Sequence, residues 1–142
     1  MAGAEGTAIS SNPLLAAIAG DSRWTQQITY AFAAAGETVD KGGYVGGSDL
    51  TRAWTAEERD GFREVAARIM AVADLSLVEV ATTGAALVDL QMVNQVPGGF
   101  GGYAITTSNW YDEILSGTLV VPSDDESTLT HEFSHILGLA HP

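Results

Sequence analysis

Residues 55–73 place the strongest constraint on the fold, because they have the pattern of a capped amphipathic helix. Thr55 and Glu58 have the spacing of a capping box, in which each side chain bonds to the backbone N–H of the other residue. Apolar residues then recur at helical spacing and form one stripe: Phe62, Val65, Ala66, Ile69, Met70 and Ala73. We predict a helix that buries this whole stripe in the core.

The segments around this helix have the patterns of short strands and one further helix. Residues 36–52 are polar, contain paired glycines and predict a surface loop. The segment from about Ser127 to Gly138 predicts a second helix. Strands are predicted for residues 27–32, 77–81, 86–93, 103–108 and 117–121. The order strand, helix, four strands, helix predicts an α+β fold, with a mixed sheet of about five strands and helices packed on it.

Length and composition agree with one domain that spans residues 1–142. Residues 1–22 are predicted to be an N-terminal extension, with a short helix at residues 14–19. Residues 1–20 contain no lysine or arginine, so no N-terminal signal peptide is predicted. The chain contains no cysteine, which excludes disulfides and thiol catalysis.

The net charge of −12 is distributed unevenly along the chain. All six lysines and arginines lie in the first 71 residues, and the last 71 contain nine acids and no lysine or arginine. Such a surface repels phosphate, so we expect no nucleic-acid partner and no membrane partner. It favours a metal ion or basic stretches of polypeptide, although acids also simply keep a protein soluble.

The three histidines all lie in the last twelve residues, which read HEFSHILGLAHP. His131 and His135 are four residues apart, so a helix presents both imidazoles on one face. Gly138 allows the backbone to turn where the helix must end, and His141 can then return to the same ion. Three imidazoles leave zinc one open coordination position, which is the catalytic arrangement. Glu132 lies beside this face and is the predicted general base for zinc-activated water.

Three functions remain open on these residues. The first is a zinc metalloendopeptidase, and the second is a non-catalytic zinc-binding fragment or truncated gene product of such an enzyme. The third is a small acidic interaction module whose histidines bind metal only for stability. Substitution of Glu132 distinguishes the first from the others, because this carboxylate affects turnover far more than it affects metal binding.

The segment from His131 to Pro142 resembles the signature of metzincin zinc endopeptidases, and its Gly-Leu-Ala-His-Pro ending resembles the serralysin branch. Trp24-Thr25 followed by residues 28–32 is similar to the first strand of that family. Residues 55–73 are similar to its backing helix, and residues 101–104 to its edge strand. The resemblance implies a zincin-like N-terminal subdomain with one catalytic Zn²⁺ and with peptide-bond hydrolysis as its activity.

The resemblance also implies a polypeptide substrate that adds to the sheet edge as an antiparallel strand. The residues expected to contact it are Gly102, Tyr103, Ala104, Ile105 and Thr106. The resemblance further implies a secreted protein, with a C-terminal subdomain, a repeat domain and an export signal after the third histidine. On that basis the 142 residues are expected to be a truncated catalytic domain with weak or no activity alone.

Overall fold

The computed structural model describes residues 27–73, 75–108 and 114–138. Within these ranges the chain forms five strands and two α-helices, in the order that the sequence predicts. The elements are β1 (Ile28–Phe32), α1 (Ala56–Val72), β2 (Leu77–Glu79), β3 (Val88–Met92), β4 (Tyr103–Ser108), β5 (Ile114–Val121) and α2 (Glu126–Ile136). The predicted α+β class with a mixed sheet is therefore confirmed. The extension at residues 1–22 and its predicted helix lie outside the described residues.

The five strands form one sheet in the order β2-β1-β3-β5-β4. Three of the four pairings are parallel, and only β4 runs antiparallel to its neighbour β5. The register places Tyr30 opposite Val88, Leu90 opposite Leu119 and Tyr103 opposite Val120. Strand β4 is thus one edge of the described sheet, the position that the resemblance implies for this segment.

Both helices pack on the same face of the sheet and share one apolar core with it. The capping box at the start of α1 is present, because the Thr55 hydroxyl accepts from the Glu58 N–H and Glu58 accepts from the Thr55 N–H. The buried side chain of Trp54 donates its indole N–H to the Leu90 carbonyl oxygen at 2.9 Å. Neither of these two helices is long and apolar enough to cross a membrane.

One member of the predicted apolar stripe does not lie in the core. Phe62, Val65, Ala66 and Ala73 are buried, but Met70 is 39% exposed. Each residue of an α-helix advances the direction of its side chain by about 100°, which places Met70 about 80° from Phe62 around the axis. Met70 therefore lies at the margin of the stripe, and its prediction as a core residue was wrong.

The second face of the sheet is covered by the connection between β1 and α1. Residues 36–52 form only isolated bridges, in agreement with the predicted loop, but they pack closely on the sheet. Gln91 is buried there, where its side chain accepts from the Asp40 N–H and donates to the Thr38 carbonyl oxygen. A second apolar cluster lies beneath this loop and consists of Val39, Val93, Val96, Tyr103 and Val120. The loop therefore packs against the side of the sheet on which β4 lies.

Two glycines allow α2 to lie close against β4 and β5. A Cβ atom at Gly102 would lie 3.1 Å from the Thr128 methyl group, and one at Gly117 would lie 3.2 Å from the Ile136 Cγ2 atom. The first turn of α2 is therefore held against the start of β4, and its last turn against the middle of β5. This contact brings the predicted metal ligands next to the sheet edge.

Candidate metal centre

Helix α2 begins at a well-formed cap and turns an apolar face to the core. Asp125 is the N-cap residue, and its carboxylate accepts from both the N–H and the hydroxyl of Thr128, at 3.0 and 3.1 Å. Leu129, Phe133 and Ile136 are fully buried at helical spacing. Because these three residues face the core, the other face of the helix points away from it.

That other face carries His131, Glu132 and His135. The two imidazole rings are perpendicular, at 86°, with centroids 4.8 Å apart and Nε2 atoms 3.2 Å apart. A Glu132 carboxylate oxygen lies 3.9 Å from the His131 Nε2 atom. The His131 side chain is 50% exposed and that of Glu132 only 16%, so the carboxylate is held close to the protein while the imidazole faces the solvent. The potential ligand atoms of the three residues all lie within 4.8 Å of one another.

The spacing of the two imidazoles fits a shared zinc ion. Zinc takes histidine nitrogens at about 2.0–2.1 Å in a tetrahedral arrangement, which puts two such nitrogens about 3.3 Å apart. The observed separation of the Nε2 atoms, 3.2 Å, is close to this value. Nitrogen and carboxylate donors are also the types that zinc prefers. His131, Glu132 and His135 therefore form a group that can hold a metal ion, and His131 and His135 are two of the three predicted ligands.

Helix α2 ends next to this group at a glycine with a left-handed backbone. Gly138 has a φ of +93°, and its N–H donates to the His135 carbonyl oxygen at 3.0 Å. An L-residue with a side chain rarely adopts this conformation, which reverses the direction of the chain after a helix. The predicted third ligand, His141, follows this turn and lies outside the described residues.

A cavity of about 380 Å³ opens beside the metal-binding group. Gly102, His131 and Glu132, which the sequence analysis selected, all line it. Its other walls are Phe100, Gly101, Ser127 and Thr128, which were not predicted as site residues. The sequence does distinguish Phe100, because it is a single aromatic residue among four glycines and has few apolar neighbours in sequence to pack with. His131 and Glu132 therefore both border an open cavity.

The remaining predicted substrate residues lie along β4 in different environments. Tyr103 is buried, and its hydroxyl donates to the Asp40 carbonyl oxygen, so its side chain holds the loop rather than a ligand. Burial raises the pKa of Tyr103 to about 12, with a further contribution from Asp40, which keeps this hydroxyl a donor. Ala104, Ile105 and Thr106 are partly buried, and among the described strands β4 pairs with β5 alone. Within residues 27–73, 75–108 and 114–138, the second edge of β4 therefore has no strand partner.

No protein-family profile matches the chain, and no curated protein is significantly similar to it.

Proposed function

We propose that this chain is a zinc-dependent endopeptidase of the serralysin-like metzincin type, with His131, His135 and His141 as zinc ligands. The observation that carries this proposal is the 3.2 Å separation of the His131 and His135 Nε2 atoms beside a carboxylate and an open cavity. Structural zinc sites are usually closed by four protein ligands. A site at the mouth of a cavity is instead suited to a substrate.

Glu132 is the residue that transfers the proton in the proposed peptide hydrolysis. When bound, zinc supplies Lewis-acid polarisation of the reacting water and carbonyl group. Glu132 accepts the proton of the attacking water on its carboxylate as the water oxygen bonds to the scissile carbonyl carbon. It then delivers that proton to the leaving nitrogen as the C–N bond breaks. The Glu132 side chain is only 16% exposed, which limits its contact with bulk water.

Strand β4 supplies the binding surface for the substrate backbone. An extended polypeptide that adds antiparallel to β4 extends the sheet by one strand and gains main-chain hydrogen bonds. Its path then leads past Gly102, which lines the same cavity as His131 and Glu132. Main-chain pairing does not depend on side chains, so the backbone contacts accept many sequences.

The decisive experiment compares the zinc-loaded protein with Glu132→Gln in a casein or labelled-peptide assay. The amide retains the shape of the side chain but cannot accept the proton, so activity should fall about 10²-fold or more with zinc content unchanged. Glu126→Gln is the matched control, since Glu126 lies on the same helix but pairs with Arg68. Equal rates for parent and Glu132→Gln would refute this mechanism. A zinc-loaded parent that cleaves nothing would instead support the alternative of a non-catalytic zinc-binding fragment or truncated gene product of such a peptidase.

A further inference from the structure

A second cavity, of about 280 Å³, lies at the carboxyl ends of β1 and β2, on the other side of the sheet from β4. Two arginines of α1, the last residues of β1 and β2 and the two residues after β2 line it: Arg59, Arg63, Phe32, Glu79, Val80 and Ala81. It shares no lining residue with the cavity beside His131 and Glu132. We call it the arginine pocket. Ligands frequently bind in the space outside the carboxyl ends of parallel strands.

Arg59 differs from the other bases because it forms no ion pair with the described residues. Within residues 27–73, 75–108 and 114–138, each of the other lysines and arginines pairs with a carboxylate: Lys41, Arg52, Arg63 and Arg68. The partly buried Arg59 side chain donates one N–H to the Trp54 carbonyl oxygen at 3.4 Å. A guanidinium has five N–H donors, so Arg59 retains donors for a ligand in the pocket.

Arg63, in contrast, is held by two carboxylates and forms a fixed wall of the pocket. Its Nε and Nη2 atoms donate to the two carboxylate oxygens of Glu79 at 2.7 and 2.9 Å, and its Nη1 atom donates to Asp60 at 2.8 Å. Its guanidinium also lies over the Phe32 ring, 5.4 Å from the centroid. Phe32 contacts the Trp54 ring edge-to-face, with centroids 4.8 Å apart. The walls are therefore preorganised, and binding requires little further ordering of them.

The charges that line the pocket are balanced by one further negative charge. Arg59 and Arg63 contribute two positive charges, and Glu79 contributes one negative charge. The hydrogen bond from Arg63 is the main cause that lowers the pKa of Glu79, and the charge of Arg59 lowers it further, so Glu79 is ionised at neutral pH. A monoanion therefore neutralises the pocket, whereas a doubly charged phosphate would be repelled more strongly by Glu79.

The size and the apolar walls of the pocket restrict the rest of the ligand. Phe32, Val80 and Ala81 form the uncharged part of its lining. Its volume of about 280 Å³ is at the lower limit of the roughly 300–1,000 Å³ of ligand pockets, so it accommodates a small molecule or one residue of a peptide. We propose that the arginine pocket binds a monocarboxylate with a small apolar body, whose carboxylate pairs with Arg59. This site does not depend on the proposed peptidase activity.

The test compares three probes that differ in charge and shape. Phenylacetate, its neutral amide and inorganic phosphate are each titrated with the full chain at pH 7, and ligand-observed NMR measures binding. The acid should bind saturably and about tenfold or more tightly than the amide or phosphate, because only the acid offers Arg59 a planar monoanion. His135→Ala should bind the acid as the parent does, which separates this pocket from a metal at the histidines.

Two sources of the same carboxylate are distinguished by a further pair of probes. A tripeptide that ends in phenylalanine is titrated with its carboxyl terminus free and with that terminus amidated. Tighter binding of the free terminus than of phenylacetate would identify a chain end as the ligand. Tighter binding of phenylacetate would identify a free acid. Either result retains the monocarboxylate class.

Variants of the pocket and of a second arginine on α1 test the assigned contact. Arg59→Gln should weaken binding of the acid about tenfold or more, and Arg59→Lys, which keeps the charge without the planar fork, should weaken it less. Ala81→Leu, which narrows the pocket without a change of charge, should also weaken it. Arg68→Gln is the matched control, because Arg68 lies on the same helix but pairs with Glu126 outside the pocket. Thermal unfolding verifies that each variant is folded.

The proposal is overturned if the acid and the amide bind equally, or if binding of the acid survives Arg59→Gln in a folded protein. A lack of saturation at about 10 mM acid also overturns it. Phosphate that binds as tightly as the acid would contradict the choice of a monocarboxylate. The Glu132→Gln assay tests the peptidase separately, so either proposal can fail without the other.

Discussion

The rings of Phe62 and Phe133 meet edge-to-face, with centroids 5.0 Å apart and planes at 89°. Phe62 lies on α1 and Phe133 on α2, and both are fully buried. Because Phe133 lies between His131 and His135 on the helix, this contact fixes the rotation of α2 about its axis. The rotation, in turn, directs both imidazoles away from the core. Packing in the apolar core therefore determines the direction in which the two imidazoles of the metal-binding group point.

We expect Phe133→Ala to lower the free energy of unfolding by about 3–5 kcal/mol, because it leaves a cavity where two rings now meet. Urea unfolding monitored by circular dichroism measures this loss. Phe100→Ala is the control, since Phe100 is half exposed, and it should cost about 1 kcal/mol or less. Equal losses for the two variants would contradict the role of Phe133 as a core residue.

Zinc should stabilise the protein, and this effect should depend on His135. A ligand that binds only the folded state raises stability with its free concentration, so added zinc should raise the midpoint of thermal unfolding. His135→Ala should abolish most of that rise and lower the bound zinc well below one equivalent in metal analysis. Ser134→Ala, on the same helix, should retain both. Unchanged zinc content in His135→Ala would exclude the predicted site.

Stability should fall at acid pH through the ion pair of Glu58 with Arg52. Two hydrogen bonds from Arg52, both at 2.9 Å, are the main cause that lowers the pKa of Glu58 from 4.5 to about 2. A carboxylate with a depressed pKa stabilises the fold above its unfolded pKa, and this contribution is lost as the pH falls toward its folded pKa. The loss therefore falls between about pH 5 and pH 2.

The corresponding measurement is urea unfolding of the parent and Glu58→Gln at pH 7 and pH 3. The variant should be less stable by about 1–3 kcal/mol at pH 7, since it loses a charged hydrogen bond and weakens the helix cap. The difference should shrink at pH 3. Glu64→Gln is the control, because the pair of Glu64 with Arg68 is exposed and should contribute about 0.5 kcal/mol or less. A difference between parent and Glu58→Gln that does not change with pH would contradict the assigned cause.

Local sequence patterns predicted most of the secondary structure but little of its arrangement. The capping box at Thr55 and the alternation around Leu90 involve near neighbours in sequence, so their elements follow from the sequence. The order of strands in the sheet depends on contacts between distant segments, and no local pattern contains it. Gln91 shows this limit, because its burial depends on a loop some fifty residues earlier in the chain.

The candidate site also has one part that the sequence predicts and another that depends on the fold. His131 and His135 lie four residues apart on one helix, so their spacing alone predicts that the two imidazoles meet. Glu132 directly follows His131 and is predicted to lie beside them. The cavity beside them depends on the approach of Phe100 and Gly102 to Thr128, which are far apart in sequence. Only the folded chain reveals that approach, and with it the place of Phe100 in the cavity wall.

Proline in β4 should show whether the sheet edge binds the substrate. In an edge strand, one set of backbone N–H groups pairs with the neighbouring strand and the alternate set points outward. Ile105 and Thr106 are adjacent, so one of their amides faces β5 and the other faces the substrate side. Proline removes the N–H, and it is tolerated on an edge strand only where that N–H points outward.

We therefore expect one of Ile105→Pro and Thr106→Pro to lower the midpoint of thermal unfolding strongly and the other to leave the protein folded with its zinc. The folded variant should raise KM for a peptide substrate about tenfold or more, because it lacks a main-chain donor and its ring blocks the edge. The effect on kcat should be smaller, since Glu132 and the histidines are unaltered. Ile105→Val and Thr106→Ala keep the amides and control for loss of the side chains. A folded proline variant with the KM of the parent would show that the substrate does not pair with β4, and the site would then need another surface to hold its substrate.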